Sequence, residues 1–212
     1  MSEREYAKEI VSRLKRLYPD AVCSLEYGGD PWKLLIMGRL SAQCTDARVN
    51  EVCKDLFGKW KSAEELALAD PSEVEDTVRS CGLYKMKTRD IIGASKMLCE
   101  RFEKKVPDNM EDLLTLPGVG RKIANLLLGD LYKKPAVVVD THCIRISRRM
   151  GLVPADIKTP EKIEKILSSL IEPTEQSDFC HRIVLLGREH CTARGNNCCA
   201  CPLCDICKKE II

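Results

Sequence analysis

Leu116-Pro-Gly-Val-Gly-Arg-Lys-Ile-Ala-Asn125 sets a proline and two glycines between two helical patterns. Pro117, Gly118 and Gly120 end a short helix around Asp112–Leu114 and turn the chain sharply, and an apolar helix, Ile123–Leu131, follows. Glycines here admit backbone conformations closed to other residues and leave no side chain to block a close approach. The amides that open the second helix then point outward together and form a site for one phosphate. Such contacts position a nucleic acid without reading its sequence. An ordinary corner between two helices has the same pattern, so the turn alone does not choose between the two.

Outward from this turn the chain is helical. Glu5–Leu17 places Ala7, Ile10, Val11, Leu14 and Leu17 on one stripe. Asp30-Pro31, Asp70-Pro71 and Thr159-Pro160 each give a capping residue followed by proline at the first helical position, and Glu73 adds a capping-box pattern after Asp70. Further helices are expected over Trp32–Ala42, Asp46–Phe57, Lys87–Phe102, Ile163–Ile171 and Ser177–Arg188. Ala136-Val-Val-Val-Asp140 dissents: its β-branched run suits a strand, and equally a buried approach to a helix.

The 212 residues suffice for one large domain or two small lobes, and the 44% hydrophobic content fits a folded globular chain. No apolar run reaches membrane-spanning length. The charged, amphipathic N-terminus is unlike a secretory signal, which implies a prokaryotic cytoplasm. Net charge is only +2, but seven basic residues against two acids fall between Leu116 and Met150, while acids gather in Ser62–Asp76. A basic segment around the glycine turn suits phosphate contact, as it also suits a solvated face. Of 13 cysteines, six lie between Cys191 and Cys207, and the scattered remainder read as small core residues. Without an export signal, metal ligation is the better account of the cluster.

These segments together resemble the endonuclease III family of DNA glycosylases. LPGVGRKIAN is similar to that family's helix–hairpin–helix, and Val138-Val-Asp-Thr-His142 to its catalytic aspartate motif. Leu40-Ser-Ala-Gln-Cys-Thr-Asp46 and Gly82-Leu-Tyr84 are similar to its two DNA-inserting loops. With the cysteine tail, the likeness spans essentially the whole chain.

The resemblance implies that Lys122 is a nucleophile and Asp140 an essential carboxylate. Lys122 must lose its proton to attack a sugar C1′, and partial burial with neighbouring cations such as Arg121 favours that. Attack expels the base, and the resulting Schiff base permits β-elimination 3′ to the lesion. Asp140 either stabilises the cationic sugar or helps to deprotonate Lys122. The target base must leave the stack; by resemblance Gln43 fills the gap and Leu83 wedges from the other strand's side. Core packing for Leu83 and a polar helix end for Gln43 are the plainer alternatives. Gly118, Gly120, Arg121 and His142 complete the implied DNA contacts.

Cys191-x6-Cys198-x2-Cys201-x5-Cys207 has the spacing that family uses for a [4Fe–4S] cluster. Zinc also takes four cysteines, and it is the spacing that selects iron. Cys199 and Cys204 depart from the simple pattern, and Cys204 creates a second set, Cys198, Cys201, Cys204 and Cys207. The set beginning at Cys191 is preferred because it anchors the loop to the preceding helix.

The implied architecture is all-α, with two lobes: residues 24–134 carrying the hairpin, and residues 1–23 with 135–212 carrying the cluster loop. Duplex DNA with damaged pyrimidines or abasic sites would bind in the cleft between them, with Asp140 across from Lys122 and a monomeric protein. That placement makes the valines a buried approach to a helix. Two other readings are an adenine-excising glycosylase, against which Lys122 and the lack of a C-terminal recognition domain count, and a non-enzymatic iron–sulfur DNA-binding module.

Overall fold

Helices alone make up the regular structure of the residues that the computed structural model describes, 1–195 and 197–209. In chain order they are α1 (Glu3–Leu17), α2 (Pro31–Leu40), α3 (Asp46–Lys59), α4 (Ala63–Ala67), α5 (Pro71–Val78), α6 (Tyr84–Arg101), α7 (Met110–Leu113), α8 (Arg121–Asp130), α9 (Thr141–Arg149), α10 (Pro160–Leu170) and α11 (Gln176–Glu189). A 3₁₀ turn, Arg79–Cys81, precedes α6. Residues 210–212, the end of the expected second lobe, lie outside the described residues. Among the described residues no helix is long and apolar enough to cross a membrane.

The chain divides into two compact units, Cys23–Tyr132 and Met1–Val22 with Lys133–Ile212. In the first, α2 buries every residue from Leu34 to Leu40, Arg39 included, as befits a central helix. The helix α8 packs on it where Gly38 leaves room for Ile123. The two sides of α6 serve α2 and the α4–α5 pair. Trp32 fills the same core while its indole N–H donates to Ser95 Oγ at 3.0 Å. Each fully buried leucine here contributes about 1.5–3 kcal/mol.

In the second unit α1, α9, α10 and α11 enclose Ile10, Leu14, Ile146, Ile163, Leu167, Phe179 and Ile183. The segment Ala136–Val139 is neither strand nor helix. It is a buried approach to α9, held where the Val138 N–H meets Cys180 Sγ at 3.2 Å.

Several helix starts differ from expectation. Asp30 and Asp70 cap as their types predict, whereas Thr159 makes no side-chain cap, so Pro160 alone opens α10. Asp70 accepts from the Ser72 N–H. The reciprocal capping box forms instead at Ser2 and Glu5. The largest shift is at α6, which starts at Tyr84, three residues before the expected Lys87. Leu83 caps it in a left-handed conformation with no side-chain bond, and neither acid nor capping residue marks the site.

Candidate functional site

The glycine turn is built against a buried ion pair. Arg39 on α2 and Asp90 on α6, both less than a tenth exposed, meet at 2.8 Å. Gly118, at φ +75°, lies directly on them: a Cβ there would stand 2.6 Å from Arg39 Nε and 2.7 Å from Asp90 Cβ. A side chain is therefore excluded twice over, by backbone conformation and by space. Gly120 differs. Its backbone is ordinary extended structure, at φ −104° and ψ 178°, and a Cβ would meet nothing within 4 Å. What Gly120 supplies is open space in front of α8.

The first turn of α8 receives no side-chain cap and contains no acid. Its unsatisfied N–H groups and the positive end of the helix dipole therefore face outward, beside Arg121 and Lys122. Both side chains are exposed. The partial burial expected for Lys122 is thus not supplied by the folded chain alone, because the helix opens at the surface and only from Ile123 onward turns inward.

Gln43 and Leu83 occupy loop tips in the same unit, and both are non-glycine residues at positive φ, +54° and +48°. Gln43 is exposed, and Leu83 is 48% exposed, an unusual place for leucine. Left-handed backbone costs such residues about 1–2 kcal/mol each. Core packing for Leu83 is therefore excluded, and both side chains are held out to solvent under strain. Lys87, wholly buried, donates through Nζ to the carbonyls of Leu40 (2.7 Å) and Cys81 (2.8 Å), the residues that lead into these two loops.

In the other unit Asp140 is the N-cap of α9, its Oδ1 accepting from the Cys143 N–H at 2.7 Å. The carboxylate is half-buried and fixed by the helix it starts. One turn on, Arg145 Nη2 lies 3.2 Å from His142 Nδ1. The same guanidinium donates to the Cys191 carbonyl at 2.9 Å from Nη2 and 3.1 Å from Nε. Arg149 Nη1 reaches the Thr192 carbonyl at 2.8 Å and Cys191 Sγ at 3.4 Å, while Cys207 Sγ lies 3.7 Å from the Arg149 carbonyl. The helix that Asp140 caps thereby grips both ends of the cysteine loop. Tyr6 adds a tether from α1, sharing its hydroxyl between the carbonyls of Met150 and Ile206.

Among the described residues no three His, Cys, Asp or Glu side chains are grouped as metal ligands. The thiols of Cys191, Cys198, Cys201 and Cys207 nevertheless lie within electrostatic reach of one another. Burial and the charges of Cys207, Cys191 and Cys198 push the Cys201 thiol up, and burial with Cys191 and Cys198 does the same to Cys207. Four sulfur donors from one loop suit a soft metal centre. The four soft donors therefore fit an iron–sulfur cluster. Cys204 instead bonds the Lys209 ammonium, and Cys199 is exposed. Of the scattered cysteines, Cys53, Cys81, Cys143 and Cys180 are buried, and Cys23, Cys44 and Cys99 are half-buried.

Sequence reasoning missed Lys87, the Arg39–Asp90 pair, and the Arg145 and Arg149 tethers. Apart from the Lys87–Cys81 bond, which spans six residues, these contacts join residues far apart in the chain. The one local signal was an arginine inside the otherwise apolar α2 pattern.

Residues 36–173 match the HhH-GPD superfamily base excision DNA repair protein family. Endonuclease III of Synechocystis sp. is 43% identical over 207 residues, covering 97% of this chain and 93% of its own. That of Bacillus subtilis is 37% identical over 94% of this chain and 90% of its own. The fold also matches a solved trapped endonuclease III–DNA covalent intermediate, an estranged-adenine complex, with a TM-score of 0.92 at 37% identity, covering 99% and 97% of the two chains. The chain belongs to the endonuclease III family of the HhH-GPD superfamily of base excision DNA repair proteins.

Proposed function

We propose that this protein is a bifunctional DNA glycosylase and abasic-site lyase that removes oxidised pyrimidines from duplex DNA, with Lys122 as its nucleophile. The observation that carries this is the position of Lys122. It stands exposed on the first turn of α8, directly after the open space at Gly120. A DNA phosphate seated on the uncapped α8 amides brings the adjoining sugar to this lysine, and the docked duplex supplies the burial that the free chain lacks. Relatives at 43% and 37% identity, and a related enzyme trapped covalently on DNA, support this reading.

The chemistry then runs in order. The Lys122 amine, having given up its proton, forms a bond to C1′ as the bond from C1′ to the base breaks, and the base leaves with the electron pair. Opening of the sugar ring gives a Schiff base. Loss of a C2′ proton drives cleavage of the C3′–O bond, the 3′ phosphate departs, and water releases the lysine. Asp140, oriented by its capping bond, stabilises the positive charge on the sugar as the base departs. Gln43 and Leu83 enter the stack vacated by the extruded base.

Cys191, Cys198, Cys201 and Cys207 would hold a [4Fe–4S] cluster, whose cationic core would offset the charge of the four thiolates and tie the loop together. Arg194, Lys208 and Lys209 on that loop serve phosphate contact. The enzyme works as a monomer on chromosomal DNA in a prokaryotic cytoplasm, a reading its bacterial relatives favour.

Borohydride trapping tests the nucleophile. Wild-type protein forms a stable covalent adduct with a duplex carrying an oxidised pyrimidine, and Lys122→Gln forms none. An equal adduct from the variant would remove Lys122 from this role.

A further inference from the structure

A wholly buried ammonium is costly unless its surroundings compensate. The two acceptors that Lys87 Nζ reaches are main-chain carbonyls, Leu40 at 2.7 Å and Cys81 at 2.8 Å. Leu40 ends α2 three residues before Gln43, and Cys81 ends the 3₁₀ turn two residues before Leu83. A single charged group therefore joins the roots of two loops that are 40 residues apart in sequence. The thiols of Cys44 and Cys81, from the same two loops, are hydrogen-bonded beside it. Gln43 and Leu83 are both at positive φ, so neither loop is in its locally preferred shape, and each needs tertiary support to keep it.

We propose that Lys87 is a positioning residue for base extrusion: by bonding the carbonyls of Leu40 and Cys81 it locks the Gln43 and Leu83 loops to one another, so that both sides of the lesion are entered as one event. This rests on Gln43 and Leu83 being the inserting residues. A long stem with a compact tetrahedral donor suits the task, since the head must reach two carbonyls from inside the core. The same α6 face carries Asp90 one turn later, which pairs with Arg39 under the glycine turn. That helix therefore supports the hairpin as well as both loops.

The test compares two substrates, a duplex with an intact oxidised pyrimidine and the same duplex with a preformed abasic site, where no base remains to be extruded. Under single-turnover conditions Lys87→Met loses about ten- to a hundredfold in base excision and no more than about threefold in strand cleavage at the abasic site. In a Gln43→Ala/Leu83→Ala background the added loss from Lys87→Met disappears, because the lysine acts through those residues. Equal loss on both substrates, or an undiminished loss in that background, overturns the proposal alone. Full excision by Gln43→Ala/Leu83→Ala overturns the reading of the loops and the proposal with it. If Lys87→Met does not fold, Lys87→Arg replaces it. Its larger planar head does not fit the fully buried site without displacing the two carbonyls, and it should show the same split between substrates.

Discussion

A single carbon added at Gly118 would stand 2.6 Å from Nε of Arg39, inside the buried ion pair on which the hairpin rests. Gly118→Ala should therefore cost about 3 kcal/mol of stability, from left-handed strain and overpacking together. Gly120→Ala should melt like the wild type, since its Cβ meets nothing, yet bind duplex DNA more weakly because the methyl occupies the space before α8. Thermal melts alongside filter-binding curves separate the two, and equal effects at both glycines would contradict this division.

Lys122→Gln should keep its stability within about 0.5 kcal/mol of wild type, because the side chain is exposed. Its loss of adduct is then a loss of chemistry, checked by circular dichroism on the trapped samples.

Asp140 has a capping role that substitution can separate from catalysis. Asparagine caps as well as aspartate, so Asp140→Asn should hold its melting temperature while base excision collapses. Asp140→Ala should lose activity and also about 1 kcal/mol of stability. Retained activity in Asp140→Asn would show that the carboxylate charge is not used.

Iron content and visible absorbance should vanish in Cys191→Ser and Cys207→Ser and persist in Cys199→Ser and Cys204→Ser. The reverse result for Cys191 and Cys204 would move the ligand set to the C-terminal four cysteines.

Burial holds the Lys87 amine below its usual range. Between that value and the ordinary lysine value the unfolded chain binds a proton that the folded chain does not, so stability rises with pH across that window. As pH falls through the folded value this contribution is lost. Denaturant melts should show the wild type gaining on Lys87→Met through the alkaline range just below the ordinary lysine value, with a constant difference near neutrality. A gap moving the other way would contradict the direction of the shift.

What the sequence disclosed was mainly what is local. Apolar stripes and Asp-Pro pairs announced most helices, and the Gly118 turn, the Asp140 motif and the cysteine spacing pointed to the candidate site. Lys87 was legible only as a presumed helix start, because its acceptors lie 47 and 6 residues away and neither is marked by a side chain. The valines before Asp140 gave a strand-like local signal. Burial against Cys180 and the capping of α9 decide their structure, and both belong to the tertiary fold.

Gly187 on α11 lies where a Cβ would collide with His142 Nδ1 and come within 3.0 Å of Arg145 Nη2. Arg145 is the residue that carries the Cys191 carbonyl. A methyl group at this one position would push on the cysteine loop and on the helix that orients the carboxylate, though it touches neither thiol nor Asp140. Such a variant would register in assays as iron loss and impaired excision together, a compound defect traceable to one missing hydrogen's worth of room.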